Sequence, residues 1–190
     1  MQPLEFWKNR AGRGDPPKEL GSCSGPLLIL GGARCVWDDY AKVRPWPHDL
    51  MVINDLGSTL HDPFQHWVTL HGNYAADWKR YRLRHGGHKE YLFHSKSGAP
   101  HTDVVWNFAH SGSVSGLFAC FIALLLGYDR IILAGCPQDG QGHYFDPPWE
   151  QHKDFSRASN EGPWTKALPI LAGKVTSLSG RTREWLGSPF

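Results

Sequence analysis

The chain is punctuated by short, largely apolar runs, each broken off by glycine or by a small polar pair. Leu27-Leu28-Ile29-Leu30 gives way to Gly31-Gly32, and Leu50-Met51-Val52-Ile53 to Asn54-Asp55. His66-Trp67-Val68-Thr69-Leu70 ends in His71-Gly72, and Ile131-Ile132-Leu133-Ala134 in Gly135-Cys136-Pro137. A strand with one wet face alternates apolar and polar residues, whereas a run apolar at nearly every position must be covered on both faces. That requirement points to parallel strands sandwiched between helices. The intervening segments supply them. A helix is expected from about Arg34, another over residues 74–85 and a third over Leu117–Leu126. The third is apolar on nearly every side. Hydroxyls in Ser113-Val114-Ser115-Gly116 can cap its start, and Gly127 suits a left-handed cap at its end. Weaker strand patterns lie near Tyr91–Phe93 and Val104–Trp106. A last helix near Trp164–Leu171 and a strand near Lys174–Leu178 complete the alternation.

The expected fold class is therefore α/β: a Rossmann-like open, mostly parallel sheet with helices on both faces. With 190 residues there is room for one domain of ordinary size. Residues 1–26 hold charges, adjacent prolines and a Gly/Ser cluster without periodicity, so they read as a lead-in segment. Residues 27–190 then form a single α/β domain with a long Pro-rich, aromatic loop at about 137–161, of the kind that closes over a site. The longest near-apolar run, Leu117–Leu126, is about half of what spans a bilayer. Residues 1–10 lack the apolar core of a secretory signal. Four cysteines, at 23, 35, 120 and 136, show neither zinc-type spacing nor a disulfide framework. A cytoplasmic setting is expected. The formal charge is +2, too small for a dedicated nucleic-acid binder, although eleven histidines would make the chain strongly positive in acid.

In an open α/β sheet, ligands bind where loops leave the carboxyl ends of the strands. Gly31-Gly32-Ala33-Arg34 ends the first strand, where a glycine pair lets backbone approach a phosphate and the next helix start favours the anion. The full three-glycine dinucleotide fingerprint is absent, so the same residues also read as a tight turn. Asn54 and Asp55 end the second strand and can hydrogen-bond a ribose, base or sugar, or simply begin a turn. Gly135 and Asp139 follow the strand at 131–134. In the long loop, His143 and Asp146 stand three apart, as a general base and its orienting partner would. As metal ligands they lack a third member at persuasive spacing. Lys79–His85 is basic and aromatic, suited either to a phosphate chain or nucleic acid or to solvent.

The order of these features resembles that of the small bacterial sialyltransferases. It also resembles a related Rossmann-like family with a motility-associated glycosyltransferase group, an archaeal hydroxymethylpterin diphosphokinase and phage-type members. The shared pattern is Ile29-Leu30-Gly31-Gly32, Val52-Ile53-Asn54, Ser115-Gly116, Gly127-Tyr128 and Ile131–Gly135. It touches most of residues 27–180, and Ser115–Gly135 is its specific part. The resemblance implies that Gly31, Gly32 and Asn54 lie near a cytidine nucleotide and Ser113 and Ser115 near the transferred sugar. Two positions depart from it. Pro137 stands where the family usually has Asp, with Asp139 displaced. The stretch before the last helix reads Ser159-Asn160-Glu161 where a sialyltransferase has its catalytic histidine. His143, or failing it His152, is then the candidate base.

The expected function is a glycosyltransferase-like enzyme that moves a sugar from a nucleotide donor to an acceptor, with DNA a conceivable acceptor. The candidates are His143, Asp146 and Ser115 for catalysis. Gly31, Gly32, Ala33, Arg34, Asn54, Asp55, Ser113, Gly116, Gly135 and Asp139 are the candidates for holding the nucleotide. No cofactor beyond the nucleotide sugar is required and no metal ligands are assigned. Two alternatives stand beside this. One is a nucleotide-binding module without transfer activity. The other is a phosphoryl transferase in which Asp55, Asp139 and Asp146 converge on Mg²⁺.

Overall fold

Strand β1 (Leu27–Leu30) runs between β2 (Asp49–Ile53) and β6 (Ile131–Ala134), parallel to both, with Leu27 opposite Asp49 on one side and Ile131 on the other. Outward from β2 lie β3 (His66–Thr69), β4 (Leu92–Ser95) and β5 (Val104–Val105), and beyond β6 lies β7 (Val175–Ser177). The seven strands take the order β5-β4-β3-β2-β1-β6-β7, every pairing parallel. The computed structural model describes residues 25–96, 101–106, 114–147 and 157–190.

The apolar runs divide between two cores. Leu27, Ile29, Met51, Ile53, Val68 and Leu133 face α4 (Ser115–Leu126) and α5 (Arg157–Leu171). Leu28, Leu30, Leu50, Val52 and Trp67 face the opposite side, with α1 (Val36–Val43), the short α2 (Leu56–Thr59) and Ala75 of α3 (Ala75–Arg84). Each of these strand residues is thus buried, and successive residues serve different cores, as period-two geometry demands. Helix α4 is buried along nine of its twelve residues and ends at Gly127, whose φ of 100° is the left-handed cap expected there. No helix among the described residues is long and apolar enough to cross a membrane.

Three details differ from the sequence-based expectation. Helix α5 begins at Arg157, seven residues before Trp164, and continues through Pro163. A further helix, α6 (Gly180–Leu186), follows β7, and its Trp185 and Leu186 pack against the α4 core. Four residues after Asn54-Asp55 also close into α2. Such short elements carry no repeating apolar stripe to read.

One polar chain crosses the first core. Trp106 Nε1–H donates to His94 Nδ1 at 3.0 Å, which leaves the His94 proton on Nε2, 3.1 Å from His66 Nδ1. The His66 proton then lies on Nε2, facing Tyr128 Oη at 3.4 Å, and Tyr128 donates to Asp49 at 2.8 Å. Every link runs in one direction only if both imidazoles are neutral. Burial enforces this, holding His66 down to about 4 and His94 well below the ordinary 6.5. The unfolded chain takes up these protons as pH falls through about 6.5, and folded His66 only near 4. Stability is therefore complete above about 6.5 and declines toward 4. Urea unfolding should show a loss of roughly 1.5–2 kcal/mol from His66 between pH 6.5 and 5, and His94 should add to it in the same direction. His66→Gln should flatten that slope; an unchanged slope would contradict neutral burial of His66.

Candidate active site

From β1 the chain builds outward through β2 to β5, and then returns to add β6 on the other side of β1. The connections leaving the carboxyl ends of β1 and β6 therefore part in opposite directions and open a crevice between them. That crevice is a cleft of about 290 Å³. Its walls are the turn after β1, Asn54 and Asp55 after β2, His71 after β3, the start of α4, the segment from Gly135 to His143, and Asn160 of α5.

Its floor depends on two glycines. A Cβ on Gly31 would lie 2.4 Å from Cys136 Sγ and 2.5 Å from the Gly135 carbonyl oxygen. A Cβ on Gly135 would lie 2.5 Å from the Gly31 oxygen, and its φ of 64° is left-handed. Asp39 of α1, 1% exposed, stands behind them and accepts the Gly135 N–H at 3.0 Å and the Ser179 hydroxyl at 2.5 Å. A buried carboxylate thus ties the β6 turn to the segment entering α6.

Asn54 also takes a left-handed backbone, with φ 54°, which Asn tolerates better than most residues. Its carbonyl accepts Trp67 Nε1–H at 2.6 Å, and its side-chain oxygen accepts the Thr69 hydroxyl at 2.9 Å. With the oxygen so assigned, the amide NH₂ points toward Ser115 Oγ, 3.4 Å away. Ser115 is the first residue of α4, whose opening N–H groups and positive dipole end meet the cleft there.

The loop after β6 folds back on the β1 turn. Tyr144 N donates to the Gly32 carbonyl at 3.0 Å and Arg34 N to the Gly142 carbonyl at 3.1 Å, an antiparallel bridge that places His143 beside Gly32. His143 Nδ1 lies 3.3 Å from Asp146 Oδ2, the oxygen that also accepts the His143 backbone N–H. Its ring is parallel to that of Phe145 at 4.9 Å. Tyr144 Oη donates to Asp55 at 3.1 Å. Burial pushes the Asp55 carboxyl above its ordinary value despite that hydrogen bond, and pushes Tyr144 up to about 12.

Of the residues singled out from sequence, Gly31, Gly32, Ala33, Asn54, Asp55, Ser115, Gly135, Asp139 and His143 line this one cleft. Asp146 stands behind His143. Arg34 instead directs its guanidinium to the Pro147 carbonyl at 2.9 Å. Gly116 is buried behind the cleft, where a Cβ would meet Cys136 Sγ at 3.6 Å and Trp164 at 3.7 Å. Ser113 and His152 lie outside the described residues. His71, Gln138, Gln141 and Asn160 line the cleft without having been chosen. Asn160 had a signal, since it occupies the stretch where the resemblance calls for a histidine. Among the described residues no three His, Cys, Asp or Glu side chains are grouped to hold a metal ion, so Asp55, Asp139 and Asp146 do not form such a set. The Lys79–His85 stretch does not present one basic face. Arg82 is buried, Lys79 is bound to the His101 carbonyl, and Arg80 pairs with Asp77.

No family model and no curated protein matches the chain. Solved structures do. A sialyltransferase CST-II in complex with a trisaccharide acceptor and CMP superposes with TM-score 0.58, at 14% identity over 86% of this chain and 85% of that one. CstII from Campylobacter jejuni with cytidine-5'-monophosphate gives TM-score 0.61 at 15% identity, covering 88% and 86%. The same enzyme with the substrate analogue CMP-3FNeuAc gives 0.57 at 16%, covering 87% and 89%. At this identity the likeness establishes a shared fold.

The two turn glycines should respond differently to a methyl group. Gly31→Ala forces it against backbone and should cost about 1–3 kcal/mol, a fall of roughly 2–12 °C in Tm. Gly32→Ala meets only His143 and Tyr144, at 3.8 Å or more, and should melt like the parent. Equal losses in the two variants would show that the floor contact is not what the site rests on.

Proposed function

We propose that the cleft binds a nucleotide sugar, with a cytidine nucleotide the first candidate, and that the protein transfers the sugar to an acceptor hydroxyl. One observation carries this reading. The Gly31–Gly32 turn, the Asn54 amide and the Ser115 start of α4 open onto the same crevice, beside a histidine backed by a carboxylate. Partly exposed backbone at Gly32 and the positive end of α4 suit phosphate, and the Asn54 NH₂ and Ser115 hydroxyl suit sugar or ribose oxygens. The fold shared with CMP-bound sialyltransferases supports the same ligand class.

In this scheme Asp146 holds His143 through Nδ1 and so fixes the tautomer in which Nε2 takes the proton. The acceptor hydroxyl gives that proton to Nε2 as its oxygen bonds to the anomeric carbon. The bond from that carbon to the nucleotide phosphate breaks, and the phosphate leaves with the electron pair. Charge develops on the leaving phosphate, where the α4 amides and the β1 turn already point. No step in this scheme is assigned to a metal ion. A second reading, binding without transfer, is favoured by Asn160 at the cleft, where the resemblance calls for a histidine.

Thermal melts with cytidine, uridine, guanosine and adenosine monophosphates, each with Mg²⁺ and with chelator, test the binding. At about a hundredfold excess over Kd, the fitting nucleotide stabilises by about 2.7 kcal/mol, a shift of roughly 5–11 °C that should survive chelator. No shift with any nucleotide would overturn the proposal. His143→Ala should then cut transfer or donor hydrolysis by about 10²–10⁴ and leave the nucleotide shift intact. A parent protein that binds but turns over no donor would establish the second reading.

A further inference from the structure

A second cavity, about 300 Å³, lies between α2 and the carboxyl end of α3. It is lined by Arg82, with Thr59, His61, Tyr81, His85 and Gly87 around it. Arg82 is 1% exposed. Its Nε donates to the His88 carbonyl at 2.8 Å, and Nη1 donates to the carbonyls of Gly57, at 3.0 Å, and Leu60. Nη2 is buried with no hydrogen-bond partner. The guanidinium carbon sits 4.2 Å above the Phe64 ring centroid. Three carbonyls and a ring face satisfy geometry but carry no net charge. No Asp or Glu lines the cavity, and no ion pair of Arg82 exists among the described residues. A buried guanidinium without a counter-charge is costly, and burial pushes its pKa below the ordinary value.

The surroundings are built to hold that charge in place. After α3 the chain turns at Gly86, φ 74°, and Gly87 wraps so closely that a Cβ there would lie 2.4 Å from Arg82 Cγ. His85 stacks on Tyr81 with centroids 4.0 Å apart, and its Nδ1 sits 2.8 Å from the Tyr81 carbonyl, so Nε2 is the nitrogen left for an incoming group. The half-exposed Tyr81 supplies a hydroxyl, and His61 a second imidazole. The cavity adjoins the cleft through one residue, since Thr59 Oγ1 lies 3.0 Å from the same Tyr144 Oη that donates to Asp55.

We propose that this cavity binds a phosphate-class oxyanion, free or as the end group of a larger ligand, whose charge answers Arg82 and whose oxygens meet Tyr81, His61 and His85. The site is separate from the cleft and does not rest on its nucleotide reading. Histidine side-chain NMR on the whole chain tests it, with inorganic phosphate and with glycerol 3-phosphate as probes. The His61 and His85 ring signals should move saturably with each. Tighter binding of glycerol 3-phosphate would identify an end group, and equal binding a free anion; both support the site. His61→Glu sets a carboxylate in the cavity as an internal competitor. It should weaken phosphate binding at least tenfold, about 1.4 kcal/mol, and raise Tm. Tyr81→Phe, which keeps the stacked ring, should weaken it less. Rings that do not move with either probe, or that move equally in His61→Glu, overturn the proposal.

Discussion

The structure turns on one close approach, that of Gly31 and Gly135 where β1 and β6 release the chain. These two strands lie on either side of the topology's reversal, and their ends must nearly touch for the sheet to continue through it. With no side chain on either residue, backbone meets backbone, and Ala33 N–H reaches the Gly135 carbonyl at 3.1 Å. From that junction the β1 turn can pair with the returning segment at Gly142–Tyr144, which in turn carries His143 over Gly32. The site is thus a consequence of strand order before it is a matter of side-chain choice.

Most of the sheet was legible because its central strands β1, β2 and β6 are buried on both faces and contain almost nothing polar. The exceptions are instructive. His66 and His94 sit in strands at fully buried positions, and their pattern alone suggests wet faces. What admits them is a set of partners far apart in sequence, Trp106, Tyr128 and Asp49, which no local pattern displays. Helix α6 was missed for a related reason, since its seven residues hold their place through Thr182 and Gly180 against Cys136 and Pro137. Strand β4 and the edge strand β5 gave only weak signals, since β4 mixes His94 and Ser95 with its apolar residues and β5 holds only two residues.

The candidate site was legible as strand ends, and less so as individual side chains. Gly31, Asn54 and Gly135 follow apolar runs directly, so the rule that strands deliver their carboxyl ends to ligands finds them. His143 was found as a member of a histidine–carboxylate pair, and its position comes from an antiparallel bridge that has no sequence signature. Gln138 and Gln141 belong to a loop surface where a polar residue is the default, so nothing marked them. Arg34 and Gly116 show the converse. Each has a functional-looking context, yet Arg34 secures the loop at Pro147 and Gly116 lies buried beside Cys136 and Trp164, where a Cβ would make ordinary contact.

Asp39 joins three distant stretches of chain: α1 that carries it, Gly135 whose amide it accepts, and Ser179 whose hydroxyl it accepts. The order of synthesis gives this a consequence. β1 and β2 emerge early, and β6 can dock once residue 134 is out. The β6 turn then waits for residues 179 to 182, which brace Asp39 and close on the Pro137 and Cys136 carbonyls. A nascent chain stopped short of them has its sheet and its glycines but an unbraced cleft floor. The bracing of the cleft floor therefore follows the sheet that carries it in the order of synthesis.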